Sequence, residues 1–163
     1  MRSETAASLR TAKPRPQRQS TGSANSNSTD HPSPPNTPLF QQAARLEPTI
    51  HGFLRDRCRQ TKGVFFHGIG GTENHVHLAI NIAPHVTISD LVGELKGACS
   101  HEINQQQRMK ALEWQRGYGV VSFGTKQLPW VQEYIANQKQ HHAVGRVFDR
   151  LERTDFDEEE EAG

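Results

Sequence analysis

An α+β fold, with helices on one face of an antiparallel sheet, is predicted by three observations. Short runs of strand formers alternate with longer stretches of helical apolar spacing, a Gly70-Gly71 pair separates two of the strand-like runs, and nearly all aliphatic and aromatic residues lie in one block. The chain has 163 residues but only 33% hydrophobic content, so a sizeable part of it falls outside a core. Residues 1–37 are rich in Ser, Thr, Asn, Pro and Arg, lack aliphatic periodicity, and read as a disordered basic tail. Residues 38–148 read as the folding unit and residues 149–163 as an acidic tail.

The elements follow in order. From Pro48, a residue suited to a first helical turn, Ile50, Phe53, Leu54 and Cys58 recur at helical spacing until Gly63 ends the pattern. Val64 to Ile69 is rich in strand formers, and the two glycines turn the chain into a second strand over His75 to Ile82. Thr87 or Ser89 caps a helix whose apolar stripe runs through Ile88, Leu91, Val92, Leu95, Ala98, Cys99 and Ile103. A polar connection covers Gln105 to Lys110. Tyr118 to Phe123 is a third strand, and Gln127 to about Ala143 a third helix with Leu128, Val131 and Ile135 inward.

Charge and cysteine content narrow the function classes. The net charge is +1, but an excess of Arg and Lys between the tails suits a polyanionic partner, as it also suits a solvated surface. Cys58 and Cys99 are far apart and read as reduced, buried residues. No apolar run is long enough for a bilayer, so a soluble, cytoplasmic protein without a membrane partner is expected.

The chemistry lies in two segments. In a strand, alternate side chains share a face, so His75 and His77 project together while Val76, Leu78 and Ile80 face the other way. Two imidazoles are half of a metal site, or simply two satisfied polar groups. Glu73 reads as a surface charge at the hairpin end. Tyr134 and Gln138, four residues apart on the third helix, share a face, so a phenol and a carboxamide oxygen can converge there. Two histidines and one amide oxygen would leave positions open on Mg²⁺ or Mn²⁺ acting as a Lewis acid. His141 and His142, one turn later, could extend this polar face but read rather as a solvated helix end, and Trp114, Tyr118 and Phe123 read as core aromatics with the capacity to stack on bases.

Four motifs in unbroken order extend this reading: Gly70-Gly71-Thr-Glu-Asn-His75-Val-His77-Leu, Leu91-Val-Gly-Glu-Leu-Lys96-Gly-Ala, Trp114-Gln-Arg-Gly-Tyr118-Gly, and Tyr134-Ile-Ala-Asn-Gln138-Lys-Gln-His-His142. Over Pro38 to Phe148 the chain resembles the single-tyrosine HUH transposases, and among them those associated with repetitive extragenic palindromes. The resemblance implies a ferredoxin-like sheet, here lacking its first strand because Ser20 to Thr37 cannot serve as one. It implies that Tyr134 is the nucleophile and that His75, His77 and Gln138 hold the divalent cation. The implied activity is cleavage and rejoining of hairpin-bearing single-stranded DNA through a 5′-phosphotyrosine link. It also implies a homodimer in which one subunit's tyrosine helix completes the other's histidine site. Two rivals remain open: a catalytically silent nucleic-acid-binding remnant of the same fold, and a Zn²⁺ hydrolase in which water attacks.

Overall fold

A computed structural model describes residues 3–10, 38–72 and 74–145, with the backbone alone for 3–10 and 38–44. The tail over 11–37, Glu73 and the acidic segment 149–163 lie outside the described residues. The elements in order are β1 (Ser3–Arg10), α1 (Pro38–Gln60), β2 (Val64–Gly71), β3 (His75–Ile82), α2 (Ile88–Gln107), β4 (Gly119–Phe123), a 3₁₀ turn (Thr125–Gln127), α3 (Leu128–Ala136) and α4 (Gln138–Ala143). The strands form one sheet in the order β2-β3-β1-β4, with every neighbouring pair antiparallel. This is the ferredoxin-like arrangement, in which each of two β-α-β units places its strands apart and leaves room for one from the other unit.

The sheet therefore does not lack its first strand. Ser3–Arg10 runs between β3 and β4, pairing Ser8 with His77 on one side and with Gly119 on the other. The expectation of a wholly disordered segment over 1–37 fails at these eight residues. Ser, Thr and Ala there show no aliphatic alternation, and a strand flanked on both sides is specified by backbone pairing as much as by its own side chains.

α1 starts ten residues earlier than Pro48, which lies inside the helix. A proline ring removes one hydrogen bond from a helix interior, a local cost that the buried residues after it offset. Leu46, Ile50, Leu54 and Cys58 of α1, with Leu91, Val92, Leu95, Cys99 and Ile103 of α2, cover Val76, Leu78, Ile80 and Ile82 of β3. α2 continues to Gln107, through the start of the expected polar connection, and ends at Arg108 in the left-handed region with φ 53°. Asn104 then ties down the chain that follows: its Oδ1 accepts from Ala111 N and Leu112 N at 2.7 and 2.8 Å, and its Nδ2 donates to Leu112 O at 2.9 Å. Both cysteines are free and buried, as read from their spacing.

The helices are divided between the two faces of the sheet. α1 and α2 lie over the even-numbered side chains of β3, whereas Val131, Tyr134 and Ile135 of α3 pack with Ala79 on the opposite face. The expectation that all helices share one face is corrected for α3, and the cause is visible in β3. His75, His77 and Ala79 are as buried as their even-numbered neighbours, so this face also needs a cover. Gly70 of β2 admits it: a Cβ there would lie 2.0 Å from the backbone oxygen of Ile135. The absence of a side chain there lets α3 rest directly on the strand.

Candidate functional site

The end of α3 and the start of α4 sit on the histidine face. The expected single helix over Gln127 to Ala143 is broken at Asn137, whose φ and ψ of −99° and 18° leave the helical region. Tyr134 thus closes α3 while Gln138 opens α4, and both are buried, at 6% and 1% exposure. His75 and His77, at 4% and 1%, lie on the face of β3 that these helices cover, with ring centroids 4.9 Å apart in an edge-on arrangement.

Gln138 reaches the histidine pair. Its Nε2 lies 3.2 Å from His75 Nε2 and 2.9 Å from His142 Nε2. The His75 and His142 rings themselves stand 4.8 Å apart. His142, exposed at the helix end, therefore also extends the polar face of this cluster; its signal in the sequence was the four-residue spacing from Gln138, which places both on one face of α4.

The tautomer of His75 follows from its other nitrogen. Asn74 Oδ1, an acceptor, is 2.6 Å from His75 Nδ1, and Thr72 Oγ1 is 3.0 Å from the same atom. Thr72 Oγ1 in turn donates to Asn74 Oδ1 at 2.8 Å and fixes the carboxamide. Nδ1 is then the protonated nitrogen, and Nε2 presents a lone pair towards Gln138. The hairpin loop that joins β2 to β3 is thus a support for the ring as well as a turn. Gly71 allows it to close, since a Cβ there would lie 2.2 Å from His75 O.

These residues fit a divalent cation. Where the Gln138 amide meets two imidazoles through its nitrogen, the imidazoles face it as lone-pair donors, and half a turn of the amide puts its oxygen in the same place. Among the described residues no group of three or more His, Cys, Asp or Glu side chains is arranged to hold a metal. A third donor from a carboxamide, such as Gln138, meets that shortfall. Neutral nitrogen and amide oxygen, with positions left open, suit a Lewis-acidic ion of the Mg²⁺ or Mn²⁺ type.

Tyr134 is held by its ring. It stacks on His141 with centroids 4.8 Å apart and planes 16° apart, and on its other neighbour, Trp130, at 5.6 Å and 22°. A phenol held in this way keeps its plane and loses little further freedom on reacting. Trp114, Tyr118 and Phe123, by contrast, are partly buried and pack against the two cores. The residues that the sequence reading gave no role are Trp130, Thr72 and Asn74.

To one side of the site, α4 is tied to α1 by an ion pair between Lys139 Nζ and Glu47 Oε2 at 2.8 Å. His51, one turn along α1, has its pKa lowered by burial, opposed in part by Glu47 and assisted by Lys139. Among the described residues no helix is long and apolar enough to cross a membrane.

The model of the family described as "Transposase IS200 like" matches residues 39–138. No curated protein matches. Two solved structures share the fold. One, described as a putative transposase from Deinococcus radiodurans R1, has 18% identity and a TM-score of 0.51, over 85% of this chain and 92% of its own. The other is a REP-associated tyrosine transposase bound to a REP hairpin, with 16% identity and a TM-score of 0.50, over 89% of this chain and 70% of its own.

Proposed function

The chain belongs to the IS200-like transposase family, and on that premise we propose that it cleaves and rejoins hairpin-bearing single-stranded DNA through a covalent tyrosine intermediate. The observation that carries this reading is the meeting of Gln138 with His75, beside His77, next to a buried and stacked Tyr134. Tyr134 is the nucleophile. Its oxygen forms a bond to the scissile phosphorus as the bond to the 3′-oxygen breaks, which leaves a 5′-phosphotyrosine and a free 3′-hydroxyl. Because one phosphoester replaces another, the reverse attack by a 3′-hydroxyl rejoins strands without an external energy source.

His75, His77 and Gln138 would hold a Mg²⁺ or Mn²⁺ ion, which when bound supplies Lewis-acid stabilisation of charge on the phosphate. Asn74 and Thr72 orient His75, and the aromatic stack on Tyr134 presents the phenol. The DNA partner is inferred from the family and from the hairpin-bound structure of similar fold. The alternative of a silent remnant rested on the loss of a strand, and β1 removes that ground.

The test is incubation of the protein with Mn²⁺ and hairpin-bearing single strands from the DNA flanking its reading frame. A covalent adduct that disappears in Tyr134→Phe is expected; cleavage that survives the substitution would favour attack by water and sink the proposal. We also propose a homodimer, as the family resemblance implies. Gln138 meets His75 within one chain, so each protomer's site is expected to work alone. A mixture of Tyr134→Phe and His75→Ala proteins should then show no recovered cleavage, and recovery would mean that the partner supplies the tyrosine.

A further inference from the structure

Trp130 helps to hold the phenol of Tyr134, but the steps above give it no contact with DNA. Its ring lies against Tyr134 at 5.6 Å and 22°, and the residue remains 48% exposed. An exposed tryptophan on the first turn of a helix that buries Val131 and Ile135 is not explained by core packing. Large flat apolar rings left open beside a nucleic-acid site are what unpaired bases stack on.

We propose that Trp130 is a stacking platform for one unpaired base of the DNA strand, adjacent to the phosphate presented to Tyr134. The inference rests on the reading of the site as one that acts on single-stranded DNA. A base laid on the open part of the indole continues the ladder of Trp130, Tyr134 and His141, and so fixes the nucleotide relative to the phenol. Paired bases are already stacked on one another within a duplex, so the platform favours an unpaired flank over the hairpin stem. Every base has a π-face, and the contact therefore positions the strand without reading its sequence.

Tryptophan emission tests the contact without any need for cleavage. Hairpin-bearing strands with unpaired flanks are added to the wild-type protein in the absence of divalent cations, with binding followed by anisotropy of a labelled strand. Emission should be quenched on binding, and the quench should vanish in Trp130→Phe, which retains Trp114 as a control. It should also vanish with a strand abasic at one flanking position. With Mn²⁺ present, Trp130→Ala should lower the rate of adduct formation about tenfold or more, and Trp130→Phe should recover most of it. Strands that bind without a quench specific to Trp130, or a Trp130→Ala protein that forms adduct at the wild-type rate, overturn the proposal. A normal Trp130-dependent quench with no adduct in any protein would support the platform and sink the tyrosine mechanism instead. Failure of the wild-type protein to bind any such strand would overturn both.

Discussion

The two faces of β3 are built from the same eight residues and do opposite things. The even face, Val76, Leu78, Ile80 and Ile82, is apolar and joins α1 and α2 in a large core. The odd face places His75 and His77 at one end and Ala79 beyond them, under a short helix that breaks at Asn137. One face supplies burial, which holds the sheet together; the other uses that rigidity to hold polar groups that burial alone would disfavour. A strand buried on both sides gives the histidines fixed positions that a loop would not.

The contrast predicts that damage to the two faces separates activity from stability. Tyr134→Phe should abolish the covalent adduct while the thermal midpoint changes little; loss of both together would make Tyr134 a core residue only. Leu78→Ala, on the even face at 0% exposure, should cost about 2–5 kcal/mol in denaturant unfolding, with residual activity at low temperature from the molecules that remain folded. Asn74→Ala removes the acceptor from His75 Nδ1 and should weaken Mn²⁺ binding by roughly ten- to a hundredfold in calorimetry, with little change in unfolding. An unchanged affinity would mean that the hairpin loop does not orient the ring.

The smallest effect is on pH. Burial lowers the pKa of His51 below 6.5, so below that pH the unfolded chain takes up a proton that the folded chain resists, and stability falls as pH falls. Burial also pushes Cys58 up to about 11 and Cys99 up to about 12 from 9.0. The unfolded thiols ionise first, so stability also falls as pH rises above 9. As far as these groups are concerned, urea midpoints should be flat between the two limits; a midpoint that rises below pH 6.5 would contradict the burial of His51.

The even face was legible in the sequence because apolar periodicity is the direct imprint of burial. Cys58, Leu95 and Ile103 declared themselves by spacing, and the shared side of His75 and His77 followed from the period of a strand. Two features of the candidate site were hidden. The break at Asn137 depends on tertiary contact, since the sequence there keeps helix formers on both sides. Trp130 stands among apolar residues at the start of a helix and was given no role, and only its exposure beside Tyr134 sets it apart. β1 was missed for a related reason: its place is specified by partners on both sides, and Ser, Thr and Ala give no pattern to read.

That strand carries a consequence for how the chain assembles. Register pairs Ser3 with Ile82 and Glu4 with Phe123, so β1 has no partners in the sheet until chain far beyond it has been made. β4 is an edge whose neighbour in the sheet is β1, so the late insertion of one short segment closes two long loops at once. High contact order of this kind slows folding, and until β1 arrives β3 and β4 present open edges to other chains. Folding yield should therefore respond more strongly to changes in Ser3–Arg10 than equilibrium stability does, and the sheet that holds the histidines should be complete only at the last step.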